Sequence, residues 1–244
     1  MFKKKNVIKK KNTERMFFLL EDKKTKIKFV FSHITKNGGS TIRGCIDPKV
    51  CQVSMFNLIE KSTKIQAQWK YAFSFAIIRD PTTRFLSAFS DFKDNRKHNI
   101  SIDSVIKTLT KFDYQKGKND NASIEHHLIQ QTHNIWSASQ MTHLIRYENF
   151  KMDLTKMFGN YNISIDPSKI LNNRPSKSNE YLKKLTGYHL RILEKFYYDD
   201  YKRFNYKISR SQLYNTYKMI ILLVIMLLVL YLVYTKNIRL LLKK

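Results

Sequence analysis

The chain has 244 residues, enough for one domain with a real core plus an appendage and too few for two full domains. Its 45 Lys and Arg against 19 Asp and Glu leave a formal charge of +26, which argues for a partner or substrate carrying negative charge, although a coding bias toward Lys and Asn would account for part of the excess. A hydrophobic content of 43% excludes a disordered chain, six Gly and four Pro exclude a collagen-like one, and two cysteines, Cys45 and Cys51, exclude a disulfide scaffold or an all-Cys zinc site.

Residues 1–22 read as a solvated basic arm, since the first thirty positions hold ten Lys and Arg15 against Glu14, Glu21 and Asp22. Its one apolar cluster, Met16 to Leu20, is too short for the core of a secretory signal, which needs about 7–15 residues. The folded domain is expected over 23–210. Lys26 to Ile34 (KIKFVFSHI) is rich in β-formers and stops at Lys36-Asn37-Gly38-Gly39. Tyr71 to Ile78 (YAFSFAII) is a second strand, almost continuously apolar as a central parallel strand should be. There Asp80 can cap, and Pro81 can open, a helix running through Phe92. A third strand, His143 to Tyr147, precedes a helix near Asn149 to Phe158. The last helix of the domain spans Thr186 to Phe204, with Leu190, Leu193, Phe196, Tyr197 and Tyr201 toward the core. Strand, loop and helix repeated in this way predict an α/β fold with a parallel sheet.

Beyond the domain, Met219 to Tyr234 (MIILLVIMLLVLYLVY) is free of charge and flanked by Lys218 and by Lys236, Arg239, Lys243 and Lys244. At about 1.5 Å per residue these positions cover roughly 24 Å, and flanking Tyr and snorkelling Lys can extend that toward the ~30 Å hydrocarbon core. A soluble core helix is rarely apolar on every face, so residues 217–236 are expected to form one C-terminal transmembrane helix, with 237–244 a short basic tail.

Two loops carry the chemistry. In FSHITKNGGSTIR (31–43), a strand breaks at two glycines and reopens as a helix at Ser40-Thr41. Without side chains, Gly38 and Gly39 let backbone N–H groups approach an anion, and the following helix N-terminus adds about half a positive charge. Lys36 supplies a cation, and Ser40 and Thr41 supply hydroxyls. A phosphate or sulfate suits this loop, whereas a nucleoside triphosphatase is disfavoured because no Lys directly precedes Ser40. In AIIRDPTTRFLSAF (76–89), Arg79 stands at the carboxyl end of a strand, where open α/β sheets bind ligands. Ser87 lies two helical turns on, and a guanidinium with a hydroxyl suits a phosphate monoester. Arg84, taken alone, reads as part of a solvated helix face.

Both loops resemble motifs of the membrane-associated carbohydrate sulfotransferases: the first resembles H-I-P-K-T-G-G-T-S, and the second R-[DN]-P-x-x-R-[FL]-x-S-x-[YF]. In the same order, HLIQQT (127–132), LIRYENF (144–150), LNNRPS (171–176) and ILEKFYYDDYKRFNY (192–206) resemble further family segments. The resemblance covers about residues 26–206 and implies a three-layer, P-loop-like sulfotransferase fold. It implies that Lys36, Asn37, Gly38, Gly39, Ser40 and Thr41 hold the 5′-phosphosulfate of 3′-phosphoadenosine 5′-phosphosulfate (PAPS), and that Arg79 and Ser87 hold its 3′-phosphate. Transfer to a glycan hydroxyl, without a metal, is the implied activity.

Sulfuryl transfer needs in-line geometry and stabilisation of charge on the leaving oxygen, a task for Lys36, and a base for the acceptor hydroxyl. Among seven histidines, His127 is favoured because it occupies the motif position, with Glu125 next. His33 faces the site or packs beneath it. A metal site built from His126, His127 and His133 is disfavoured for want of a fixed geometry. The competing reading is a non-catalytic, membrane-tethered basic module that holds nucleic acid or another polyanion. Aromatic residues do not interleave the lysines as base-stacking platforms would, so no specific nucleic-acid partner is expected. With no signal sequence and a C-terminal span, the domain is expected to face the cytosol, the lumen of the Golgi being the alternative. The sequons at Asn99, Asn121 and Asn162 occur about as often as chance predicts and do not decide between them.

Overall fold

The computed structural model describes residues 16–44, 55–120, 122–165, 177–207 and 221–231. A five-stranded mixed sheet has the order β3-β1-β2-β4-β5, with β1 Phe17–Asp22, β2 Lys28–Ser32, β3 Phe56–Ser62, β4 Phe73–Ile78 and β5 His143–Arg146. The parallel half expected from the sequence is present, since β4 pairs in parallel with β2 on one side and β5 on the other. Strand β1 runs antiparallel to both β2 and β3, so the sheet is mixed rather than wholly parallel.

Strand β1 also corrects the extent of the basic arm. Phe17–Asp22 is not solvated: Phe17 and Leu19 enter one core cluster, while Phe18 and Leu20 enter another on the opposite face. A strand buried on both faces is a short unbroken apolar run, and the flanking charges hid this one. Residues 1–15 lie outside the described residues.

The sheet's faces are sorted by the two-residue period of a strand. Phe29, Phe31, Phe73, Phe75 and Ile77 join Phe150, Leu154, Met157 and Phe158 of helix α6 (Phe150–Gly159). Register makes this face aromatic: Phe29 is opposite Phe73 and Phe31 opposite Phe75, with ring centroids 5.1 and 5.0 Å apart. On the other face Val30, Ala76 and Ile78 meet Ile129, Trp136 and Phe204. A third cluster packs helix α2 (Pro81–Ser90) with α3 (Ile102–Thr110) and α8 (Gly187–Phe196).

Helix α2 begins as the sequence predicts, with the Asp80 carboxylate accepting from Thr83 N at 2.8 Å and Pro81 in the first turn. It ends earlier as an α-helix, and Asp91–Asn95 winds on as one π-turn. The helix expected over Thr186–Phe204 is two, α8 and α9 (Tyr198–Arg203), because Tyr197 leaves helical geometry at φ −99°, ψ 20°. Residues 221–231 are helical with every side chain exposed. Among the described residues no helix is long and apolar enough to cross a membrane, and the remainder of 217–236 lies outside them.

Candidate functional site

Because β2, β4 and β5 are parallel neighbours, their carboxyl ends open on one edge, and the loops that follow them stand side by side. The β2 loop carries Lys36 and Asn37 into α1 (Gly39–Gly44). The β4 loop carries Arg79 and Asp80, and the β5 end carries Tyr147 and Glu148.

Backbone conformation turns the β2 loop sharply, with Lys36 at φ 67° and Gly38 at φ 80°. Gly38 relieves the strain of a left-handed residue and also makes room, since a Cβ there would come within 3.2 Å of the Tyr147 ring. At Gly39 a Cβ would overlap the imidazole of His33, which packs directly beneath the loop. Ser40 lies in the first turn of α1, and Thr41 N donates to the Gly38 carbonyl at 2.9 Å.

Asn37, expected among the ligand-binding residues, is wholly buried and its amide is committed inward. Its Nδ2 donates to the Ile77 carbonyl at 2.7 Å and to Gln131 Oε1 at 2.6 Å. What it can offer an anion is therefore backbone rather than side chain. Gln131 completes the lock: its Oε1 accepts from Arg79 N at 2.9 Å, and its Nε2 donates to the Arg79 carbonyl at 2.8 Å. One buried amide thus fixes both loops to each other. Asp200 holds Gln131 in turn, accepting from its backbone N and from Thr132 N, each at 2.8 Å. Burial raises the Asp200 carboxyl, while the charge of Arg84 and these N–H donors lower it.

Arg79 lies across the joint. Its Nη1 donates to the Lys36 carbonyl at 3.2 Å, its Nε to Thr83 Oγ1 at 3.2 Å, and its guanidinium sits 4.3 Å over the Tyr147 ring. Burial lowers its basicity, partly offset by Tyr147, Glu148 and Asp80. An arginine starts so far above neutrality that it stays charged. Glu148 ties the third strand end to this edge, accepting from Asp80 N at 2.8 Å. Ser87 is half-buried on α2, one turn past Arg84.

Arg84 is not on a solvated face. It is fully buried, donating from Nε to the Thr35 carbonyl at 3.1 Å, with Asp200 and Tyr197 as electrostatic neighbours. Burial lowers its basicity in opposition to those neighbours. Single-helix periodicity could not find this, because the burying surface comes from the β2 loop and from α9.

The second group of candidates meets the first through the π-turn. Lys36 Nζ lies 2.6 Å from Asp91 Oδ2, and Arg96 Nε lies 2.9 Å from the same oxygen. Burial works to raise the Asp91 carboxyl, but the hydrogen bond and charge of Lys36, then Asn95 and Arg96, outweigh it and hold it at about 2. His127, on α5 (Ile124–Leu128), is buried against Phe92; its Nδ1 donates to the Ser123 carbonyl at 2.9 Å and its Nε2 lies 3.2 Å from Arg96 Nη2. Burial first, then the charges of Lys36, Arg96 and His126, push the imidazole down to about 3 against the raising effect of Ser123. Lys36 and His127 are therefore in one electrostatic cluster. Glu125 turns elsewhere, pairing with Lys116 Nζ at 2.5 Å. His133 stacks on Tyr114 and lines, with Gln130, Thr132, Lys202 and Arg203, a separate cavity of about 840 Å³.

The residues gathered on this edge include cations, hydroxyls and turned backbone suited to an anionic ligand, together with the carboxylates of Asp80, Glu148 and Asp91 that position them. A sequence model of the sulfotransferase family matches residues 11–207. The chain belongs to the sulfotransferase family. No curated protein and no solved structure matches it. As a sulfotransferase it is an enzyme of sulfuryl transfer, and the family match runs from the segment before β1 through α9. Sequence reasoning gave Asp91 no role, counted Arg96 only among the cations of the competing polyanion reading, and quoted Gln131, Tyr147 and Asp200 only as motif letters. Those three carried a signal, since each lies within a motif stretch. The LNNRPS segment, Cys45, Cys51 and Asn121 lie outside the described residues.

Proposed function

We propose that this sulfotransferase moves a sulfuryl group from PAPS to a hydroxyl of a carbohydrate acceptor. The observation that carries the reading is the joining of the two loops by Gln131 and Arg79, which sets Lys36 and the turn at Gly38 and Gly39 beside the Arg79 guanidinium. The fit is chemical: cation, hydroxyl and crowded glycines on one edge match a nucleotide with separate 5′-phosphosulfate and 3′-phosphate groups. The β2 loop with Thr41 would hold the phosphosulfate, and Arg79 with Ser87 the 3′-phosphate.

His127 Nε2 takes the proton of the acceptor hydroxyl as the acceptor oxygen bonds to sulfur. The bond from sulfur to the bridging oxygen breaks, its electron pair stays on that oxygen, and Lys36 stabilises the charge. Burial, then the charges of Lys36, Arg96 and His126, keep His127 neutral across the physiological range, the protonation state a base requires, and at the same time weaken it as a base. Glu125 is less suited, its Oε1 being engaged by Lys116.

The exposed apolar side chains of 221–231 support the reading that 217–236 lies in a membrane, since such a row in water is a strongly unfavourable surface. The reaction is tested with immobilised adenosine 3′,5′-bisphosphate and then with radiolabelled PAPS against a glycan panel. Retention that survives moderate salt and is competed by free nucleotide supports the reading. Retention on any polyanion, abolished by salt, would replace it with a basic binding module.

A further inference from the structure

Arg96 has no part in the scheme above, yet it occupies the atom that scheme depends on. Its side chain is about one-third exposed and makes four contacts. Nε donates to Asp91 at 2.9 Å, Nη1 to the Ala122 carbonyl at 3.1 Å, Nη2 lies 3.2 Å from His127 Nε2, and the guanidinium carbon sits 4.1 Å over the Phe92 ring. A carbonyl only accepts, so the His127 proton is on Nδ1, bonded to Ser123, and Nε2 presents its lone pair to Arg96. The lone pair that must receive the acceptor's proton is therefore already capped by a cation.

Removing that cap requires something that attracts a guanidinium more than the neutral imidazole does. Asp91 cannot supply it, because the oxygen that Arg96 uses also serves Lys36. A neutral sugar hydroxyl is no stronger a partner. A carboxylate or sulfate is, because its planar or tripodal oxygens match the fork and bring full charge. We propose that Arg96 selects the acceptor: an anionic glycan draws the guanidinium off His127 Nε2 as it binds, and so frees the base only when the correct substrate is present. This rests on the sulfotransferase reading given above and names its substrate class.

The charged and titratable groups around His127 all bear on the effect. Lys36 from the β2 loop, Arg96 beyond the π-turn and His126 on its own helix each disfavour the imidazolium, while Asp91 balances the first two. Moving Arg96 onto an acceptor anion removes one of these cations from the base and makes it more basic at the moment it is needed.

Two measurements on the full chain test this. In ¹⁵N-histidine spectra, with His127 assigned through His127→Gln and the pH lowered from 8 to the acid limit of the folded state, the wild-type ring should stay neutral above pH 5. In Arg96→Ala its midpoint should rise by at least one pH unit while burial and Lys36 still hold it below the ordinary histidine value, with Arg96→Gln as the second variant should the alanine form lose near-ultraviolet ellipticity. An unmoved midpoint overturns the cap whatever reaction the protein performs. Transfer from PAPS is then followed on heparosan, chondroitin and alginate, and on each after carboxyl reduction. Wild type should prefer the anionic form of its acceptor at least tenfold in kcat/KM, and Arg96→Ala should lose most of that preference. If wild type binds adenosine 3′,5′-bisphosphate but sulfates the reduced polymers equally, or none of the six, acceptor selection by Arg96 is overturned and the donor reading stands. A wild type that binds no bisphosphate overturns both.

Discussion

Gln131→Leu should separate the two halves of the site without touching a ligand-facing group. The substitution keeps most of the side-chain volume in a wholly buried position but removes three hydrogen bonds, from Asn37 Nδ2, from Arg79 N and to the Arg79 carbonyl. Asn37 Nδ2 retains the Ile77 carbonyl, whereas both polar groups of the Arg79 backbone lose their partner. At about 1–1.5 kcal/mol per bond, the loss comes to about 3–4.5 kcal/mol, a large share of the 5–15 kcal/mol typical of a domain. Urea unfolding followed by tryptophan fluorescence measures the stability change, and calorimetry with adenosine 3′,5′-bisphosphate measures the loss of alignment between loops. Affinity should fall at least tenfold, because Arg79 is no longer fixed against the Lys36 loop. Gln131→Glu should fare similarly, since a carboxylate cannot donate to the Arg79 carbonyl. A loss under about 1 kcal/mol with unchanged affinity would refute the idea that this amide holds the site together.

Arg79→Ala should weaken binding of the bisphosphate by about 1.5–3 kcal/mol, roughly ten- to hundredfold, while Lys36→Ala should chiefly lower turnover; normal activity in either removes the donor-site assignment. Gly39→Ala should destabilise the loop through overlap with His33, and His33→Ala should restore part of the loss in a double-mutant cycle; purely additive effects would show that the ring does not set the requirement. His127 is depressed in the folded state, so the unfolded chain binds the extra proton first. Its contribution to stability is complete above about pH 6.5 and declines as pH falls toward 3. His127→Gln should flatten the difference in urea midpoint between pH 6.5 and pH 5 relative to wild type, and a parallel dependence would contradict the buried neutral ring. In a glycosylating cell, cytosol-facing protein should show no endoglycosidase shift; a shift that vanishes when Asn99, Asn121 and Asn162 become Gln would place the domain in the lumen.

The sequence by itself determined those features whose causes lie within a few residues. Continuous apolar runs marked β2 and β4, Asp80-Pro81 set the start of α2, and the adjacent glycines after Lys36 marked the sharp turn into α1. Tertiary structure decided what depends on pairing between distant segments. Phe17–Asp22 looks like the end of a charged arm until β2 and β3 close on both its edges and core clusters cover both its faces. Arg84 reads as solvated until Thr35, Tyr197 and Asp200 enclose it, and Asn37 reads as ligand-facing until Gln131, 94 positions on, takes its amide. Lys36 meets Asp91, the first residue of the π-turn, because the fold brings the end of α2 against the β2 loop. Helical and strand periods assign a side chain to a face of its own element, but solvent, charge partner and protonation are set by whatever the fold brings against that face.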